Sequence, residues 1–304
     1  MIHYEQLKNK LGMLKCLTGL TSEGFQRLLA AFSVAYEVDV KQRDGQRSRP
    51  RQRGYGAGQK GALPTVEDKL VFILVYFRQY PVQMVQGYLF GMGQPQANEW
   101  IHRLSPVLRS ALGYDLQLPA RRPQDIKALL ESCPRLEFII DGTERPIRRP
   151  QTSERQKANY SGKKKRHTRK NNVITDKTTG KVKGLSPTVE GKRHDKKLAD
   201  EQDGAFPSGS TLWKDTGFQG FEPKNVKTLQ PTKKPKGRTL SDAQKLANTA
   251  ISKERIGIEH SLGGVKVFRI VHDSFRNIRL GFDDLVMEIA CALHNFRPDH
   301  PLSA

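Results

Sequence analysis

The sequence predicts an α/β domain with a mixed sheet, preceded by an all-helical part. Two observations carry this reading. Up to Leu112 the apolar residues recur mostly at helical spacing. From Pro134 the pattern changes to short apolar runs, such as Leu136-Glu137-Phe138-Ile139-Ile140, a hairpin and then helices. Four segments are expected: helical residues 1–40, a basic linker 41–63, a helical domain 64–120 and an α/β domain 134–300.

In the first segment, Thr21 or Ser22 is placed to cap a helix reaching about Glu37, with Phe25, Leu28, Leu29 and Phe32 on one face. The linker holds Arg43, Arg47, Arg49, Arg51, Arg53 and Lys60 against one acid, Asp44. Lacking apolar residues to pack, it is expected to be mobile, with Arg51 and Arg53 available to phosphate. Val66–Arg78 and Val82–Phe90 read as two helices, followed by the turn Gly91-Met92-Gly93. Pro95 suits the start of a third helix, on which Ala97, Ile101, Leu104 and Leu108 share a face. At ~100° per residue, Gln96, Asn98, Glu99, His102 and Arg103 then face outward. Such an order matches a helix-turn-helix, whose second helix enters the major groove, although an ordinary bundle has the same pattern. Gln96, Asn98, His102 and Arg103 are the candidate readers of DNA.

Beyond the polar break Arg121–Gln124, Asp125–Leu130 is a short helix and Arg135–Asp141 a buried strand. Asn171–Thr175 and Lys181–Val189 form a hairpin across Asp176-Lys177-Thr178-Thr179-Gly180. Lys196–Glu201 is a short helix and Thr211–Asp215 a short strand. Ser241 caps a long helix to Leu262, and Phe282–Phe296 is a last helix with a core stripe at Phe282, Leu285, Val286, Ile289 and Leu293.

Charge narrows the function. The chain of 304 residues carries a formal net charge of +21, a field that favours polyanions as partners over small metabolites. Its longest apolar run, Leu70–Phe77, is too short to span a membrane, and the N-terminus lacks the pattern of a secretion signal. Cys16, Cys133 and Cys291 fit neither a disulfide framework nor a zinc site, and a reducing, cytoplasmic location is expected.

Three acids have the placement that metal-dependent phosphodiester cutting requires. Asp141 and Asp215 each end an apolar run and have a glycine nearby, Gly142 and Gly217. Glu259 lies on the long helix with Arg255 and Lys266 within ~40° of it. Together they would form an all-oxygen site for Mg²⁺ or Mn²⁺. Gly142 would let substrate backbone approach closely. Gly263-Gly264, each costing about 1 kcal/mol in a helix, could break it before Lys266. Asp195 is a rival to Asp215, but its preferred role is to cap the helix from Lys196, so Asp195→Asn is expected to keep much activity. Lys163, Lys164, Lys165 and Arg166 would form a phosphate track, with Tyr160 available to stack on a base. His194, among basic neighbours, reads as a further phosphate or surface contact.

Several motifs in order also resemble a known family. They are Asp141-Gly142-Thr143-Glu144-Arg145-Pro146-Ile147, Tyr160-Ser161-Gly162-Lys163-Lys164, Gly191-Lys192-Arg193-His194-Asp195, Asp215-Thr216-Gly217-Phe218 and Arg255 to Lys266. From about residue 20 to Arg297 the chain resembles the DDE transposases of bacterial insertion sequences, in the branch related to Harbinger transposases. The resemblance implies a helix-turn-helix domain before a ribonuclease-H-like catalytic domain, with the triad on Asp141, Asp215 and Glu259. Ser252 stands where many relatives carry a Tyr before the Arg, Glu and Lys. Two Mg²⁺ or Mn²⁺ ions are implied, with Asp141 bridging them and Arg255 and Lys266 gripping phosphate. Also implied are double-stranded DNA as partner, assembly as a homo-oligomer on it, and a nucleoid-associated location. A DNA-binding regulator or domesticated transposase without chemistry, and a nuclease without strand transfer, remain open.

Overall fold

The computed structural model describes residues 1–46, 61–202, 204–234, 237 and 239–297, so Arg51, Arg53 and most of the expected linker lie outside it. In chain order the helices are α1 (Tyr4–Leu7), α2 (Leu11–Thr18), α3 (Ser22–Gly45), α4 (Val66–Gln79), α5 (Gln83–Leu89), α6 (Gln94–Tyr114) and α7 (Pro123–Glu131). Strand β1 (Glu137–Pro146), helix α8 (Ser153–Asn159) and strands β2 (Tyr160–Ser161), β3 (Arg166–Asp176), β4 (Val182–Leu185) and β5 (Val189–Glu190) follow. The remainder is α9 (Asp195–Asp200), β6 (Thr211–Trp213), β7 (Lys227–Leu229), α10 (Asp242–Lys266), α11 (Arg269–His272) and α12 (Phe282–Phe296). The described residues form two compact units: those of Met1–Leu118 with Lys266–Asp273 and 285–297, and those of Pro119–Val265 with Ser274–Asp284. Among the described residues no helix is long and apolar enough to cross a membrane.

In the first unit α4 is the central helix, with Leu70 through Phe77 all buried. Thr65 caps it by accepting from the Asp68 amide (3.1 Å), while its hydroxyl donates to the Asp68 carboxylate (2.9 Å). α5, a turn with left-handed Gly91, and α6 follow. Gly87 in α5 is required by close approach, since a Cβ there would lie 2.5 Å from the carbonyl oxygen of Met92. Ala97, Ile101, Leu104 and Leu108 are fully buried, as their spacing predicts.

The outward face of α6 differs from the wheel. Gln96 and Glu99 are exposed, but Asn98 and His102 are half-buried, and the Asn98 side-chain oxygen accepts from Gln83 of α5 at 2.8 Å. Arg103 does not face outward. It folds onto α3, 2.8 Å from Asp39, with its guanidinium over the rings of Tyr36 (5.2 Å) and Trp100 (5.1 Å). A long side chain follows the neighbouring helix, which wheel angles cannot register. α3 itself runs to Gly45, eight residues past the expected end, because Arg43 pairs with Asp39 one turn back at 2.8 Å.

The second unit carries the ribonuclease-H-like mixed sheet, in the order β2-β3-β1-β6-β7, with β4 and β5 also on β3. β1 pairs antiparallel with β3 and parallel with β6, and β6 pairs parallel with β7. Phe138, Ile140, Ile174 and Leu212 face a core completed by Ile126 and Leu130 of α7, Ala199 of α9 and Phe206, Phe218 and Phe221. Asp176 shapes the β3–β4 turn by accepting from the Thr178 amide (3.0 Å) and the Thr179 hydroxyl (2.6 Å), before left-handed Gly180. α10 continues unbroken through Gly263-Gly264 to Lys266, contrary to the break their propensity allows. Gly264 is buried, so tertiary packing outweighs the local cost.

The Arg103 contacts generate a stability prediction. Arg103→Ala removes a part-buried ion pair and two ring contacts, so urea unfolding should report a loss of about 1–3 kcal/mol. Gln96→Ala, on the exposed side of α6, should stay within about 0.5 kcal/mol.

Candidate active site

The site is set by strand register. Ile139 of β1 is directly paired with Trp213 of β6 in a parallel ladder. Asp141 and Asp215 each lie two residues further along. Side chains alternate every residue along a strand, so on β1 Asp141 shares the face of Ile139. Beyond Trp213 the chain leaves the ladder, and the Asp215 carboxylate accepts from the Gly217 amide at 2.7 Å, capping a short 3₁₀ turn, Thr216–Phe218. The Asp141 carboxylate accepts from the Gly142 amide at 2.9 Å.

Arg255 arrives from α10. Gly257 of that helix packs against Ile139, whose Cδ1 is 3.9 Å from where a Cβ would stand. This contact lays α10 on the Ile139 and Asp141 face and brings the Arg255 guanidinium within 3.7 Å of Asp141 Oδ1. Burial, first, and the neighbouring Asp215 charge, second, push the Asp141 carboxyl up to about 6. Arg255 and the Gly142 amide oppose the rise, and Asp195 adds to it. Glu259, one turn after Arg255 on α10, is exposed. Lys266 ends that helix and belongs to the first unit.

Asp195 is not a helix cap. α9 begins at Asp195, His194 occupies the cap position, and no side chain caps that terminus. Instead the Asp195 carboxylate fills the space beside two glycines. A Cβ on Gly142 would lie 2.6 Å from its Oδ1, and a Cβ on Gly217 3.0 Å from its Oδ2. The expectation that Gly142 makes room for substrate is therefore corrected: it makes room for Asp195. Lys170 Nζ lies 2.9 Å from Asp195 Oδ1 and 3.5 Å from Glu144, while donating to the carbonyl of Arg193. Oδ1 is nevertheless without a hydrogen bond, because the ammonium approaches outside hydrogen-bond geometry. The ion pair, not the missing hydrogen bond, describes this contact: both side chains are largely buried and less than 3 Å apart. Asn172 holds the Asp195 backbone carbonyl at 2.9 Å. The only sequence signal for this placement is the Asp after Gly191-Lys192-Arg193-His194; its neighbours are contributed by β1, β3 and the turn after β6.

The donor chemistry suits a hard divalent cation. Of two neighbouring carboxylates just past the parallel β1–β6 ladder, one has its proton affinity raised by burial and then by the other, and one arginine 3.7 Å away does not fully supply the missing positive charge. Among the described residues, no three His, Cys, Asp or Glu side chains are gathered closely enough to hold one ion. The other expected contacts are dispersed in the second unit. Lys163, Lys164 and Lys165 form the exposed turn between β2 and β3, with Lys165 left-handed, and Arg166 opens β3. Tyr160 is 43% exposed and meets the His167 ring edge-on at 5.7 Å. His194 is exposed at the start of α9.

Comparison with known proteins agrees with this architecture. Residues 140–295, just over half the chain, match the family described as DDE superfamily endonuclease. Residues 61–113, spanning α4 to α6, match the helix-turn-helix of DDE superfamily endonuclease. A probable transposase for insertion sequence element IS702 from Microchaete diplosiphon is 27% identical over 261 residues, 85% of this chain and 88% of that protein. No solved structure matches the chain. With two neighbouring aspartates just past the last rung of a parallel strand pair, and a family match over residues 140–295 that begins at the residue before the first of them, the chain belongs to the DDE superfamily of endonucleases.

Proposed function

We propose that this protein is an insertion-sequence transposase: it binds the ends of a mobile DNA element, cleaves them and transfers the strands to target DNA. The observation that supports this most is the Asp141–Asp215 pair, each two residues past the last rung of the parallel β1–β6 ladder, with Arg255 facing Asp141. Asp141 and Asp215 would hold Mg²⁺ or Mn²⁺, with Glu259, exposed on α10, as the further expected ligand. When bound, the ions supply Lewis-acid activation of the attacking water and charge neutralisation at the scissile phosphate.

The chain's own residues supply the rest. Arg255, 3.7 Å from Asp141, would meet a phosphate oxygen. Lys170 fixes Asp195, and Asp195 in turn supports the backbone at Gly142 and Gly217, the neighbours of the two site aspartates. Asp195 is thus a positioning residue. α4 to α6 would hold the element end, with Gln96 on the exposed side of α6, while Lys163 to Arg166 and His194 would contact the DNA backbone near the cut. The +21 charge speeds encounter with DNA and makes binding salt-dependent. Cleavage of an end-labelled duplex carrying the element's terminal repeats, with and without Mg²⁺, tests the reading. Binding without cutting under any divalent cation would favour a DNA-binding regulator; cutting without joined products would favour a simple nuclease.

Asp141 carries an internal cost. Its folded pKa of about 6 exceeds the unfolded 3.8, so the folded chain binds the extra proton between those values. Stability therefore falls as pH rises from about 4 to 6, and the ionised, buried carboxylate remains a cost at pH 7. In chelator, Asp141→Asn should stabilise the protein at pH 7 by about 1–3 kcal/mol, and the gain should vanish below pH ~4. Cutting by the same variant should be abolished, because a carboxylate expected to hold the cation is lost.

Asp195→Asn should reduce cutting roughly 10–100-fold, the cost typical of losing a group that orients ligands. In chelator, removing that neighbouring charge should also lower the pH at which Asp141 takes up its proton, a shift that a purely structural defect would not give. Asp200→Asn, on the exposed side of the same helix, serves as the control. Full activity in Asp195→Asn would return it to a local structural role.

A further inference from the structure

The second unit presents a cleft away from the carboxylates, lined by Arg148, Arg155, Arg169, Arg276 and Arg279 against two acids, Glu190 and Asp283. Arg169 is spent on both acids, at 2.9 Å from Asp283 and 3.4 Å from Glu190. The remaining four arginines are all exposed. One wall is the segment from Ser274 to Gly281, and it is firmly anchored. Phe275 is buried and bridges to Ile147; its amide donates to Pro146 (2.8 Å), and its carbonyl accepts from Arg148 (3.2 Å). At the other end Arg145, itself buried, donates to the Asp283 carbonyl at 2.9 Å, and Arg121 pairs with Asp284 at 2.7 Å.

From this pinned segment two aliphatic side chains project. Ile278 is 93% exposed and Leu280 95%, on either side of Arg279 and close to Arg276. Both ends of the segment being tied down, these tips do not fold back to cover themselves. Aliphatic tips among arginines on a strongly basic chain have the composition of a wedge for the base stack, with cations to hold the flanking phosphates. Glu190 and Asp283, already paired with Arg169, leave the net charge of the cleft positive.

We propose that this cleft is a second DNA-binding surface, on which Arg148, Arg155, Arg276 and Arg279 grip the duplex backbone while Ile278 and Leu280 unstack a base step. The proposal rests on the DNA-processing reading above and adds a local distortion of the duplex to it. Such a distortion would expose a strand for cutting without any contact to base edges.

The test uses the full chain in chelator and random-sequence duplexes of about 30 base pairs carrying 2-aminopurine. Wild type should bind, and the probe's fluorescence should rise about twofold or more as its base unstacks. Arg148→Ala/Arg155→Ala/Arg279→Ala should flatten the slope of log affinity against log salt by about 0.9 for each phosphate that the variant no longer neutralises. Ile278→Ser/Leu280→Ser should keep the wild-type slope but abolish the fluorescence rise. Both sets change exposed side chains only, and far-UV circular dichroism confirms folding; Arg279→Ala alone is the fallback. An unchanged slope in the arginine variant, or an unchanged fluorescence rise in the aliphatic variant, overturns the proposal while leaving DNA binding by the rest of the chain intact. Loss of self-association in the aliphatic variant, with the fluorescence rise retained, would also overturn it and make the tips a contact between copies of the chain. Failure of the wild type to bind any duplex would instead defeat the functional reading itself.

Discussion

The register of one parallel strand pair governs the site. Glu137, Phe138 and Ile139 sit opposite Thr211, Leu212 and Trp213, which leaves Asp141 and Asp215 the same number of residues past the last pair. A one-residue slip would turn Asp141 to the opposite face of the sheet relative to its partner strand. The core prevents that slip: Phe138, Ile140 and Leu212 are fully buried against α7 and α9, and a shifted register would drive them out of it. At ~25 cal/mol per Å² of apolar surface, exposing even one such side chain costs about 1.5–3 kcal/mol. Hydrophobic packing thus fixes the position of charges that would otherwise repel one another.

Around this pair the electrostatics is divided between two sides. On the Ile139 face α10 brings Arg255 to Asp141, only partly offsetting the burial and repulsion that raise its proton affinity. On the side of Gly142, Asp195 is matched by Lys170 and closes off the space that glycine leaves. Asp195 is thereby neutralised by a close lysine, while the charge of Asp141 is only partly offset, as a site built to receive cations requires. Stability is given up at Asp141 for that purpose, in line with the general conflict between a polar functional centre and a stable fold.

Much of this is legible in the sequence, and the rest is hidden for physical reasons. A strand leading into Asp141, the hairpin across Asp176–Gly180 and the buried stripe of α6 follow from local periodicity, and the structure has them, but β1 does not end at Asp141: pairing with β3 carries it on to Pro146. A helical wheel misplaces Arg103 because it contains no neighbouring helix, and Asp39 and Tyr36 lie on one. Residue type misleads at Asp195, since Asp is a favourable cap whereas its actual partners are Lys170 and two distant glycines. The arginine cleft leaves no trace in the spacing, because Arg148, Arg155 and Arg276 come together only when the segment after Ser274 bridges to Ile147. Side-chain placement that depends on long-range pairing cannot be read from local periodicity.

If the β1–β6 pair builds one cation site, Asp141 and Asp215 must both be needed to fill it. Electron paramagnetic resonance during Mn²⁺ titration of the full chain measures this without DNA or turnover. Saturable binding is predicted in the wild type, lost in both Asp141→Asn and Asp215→Asn and retained in Asp200→Asn. Saturable Mn²⁺ binding of wild-type strength in either site variant, with the fold intact, would contradict a shared site.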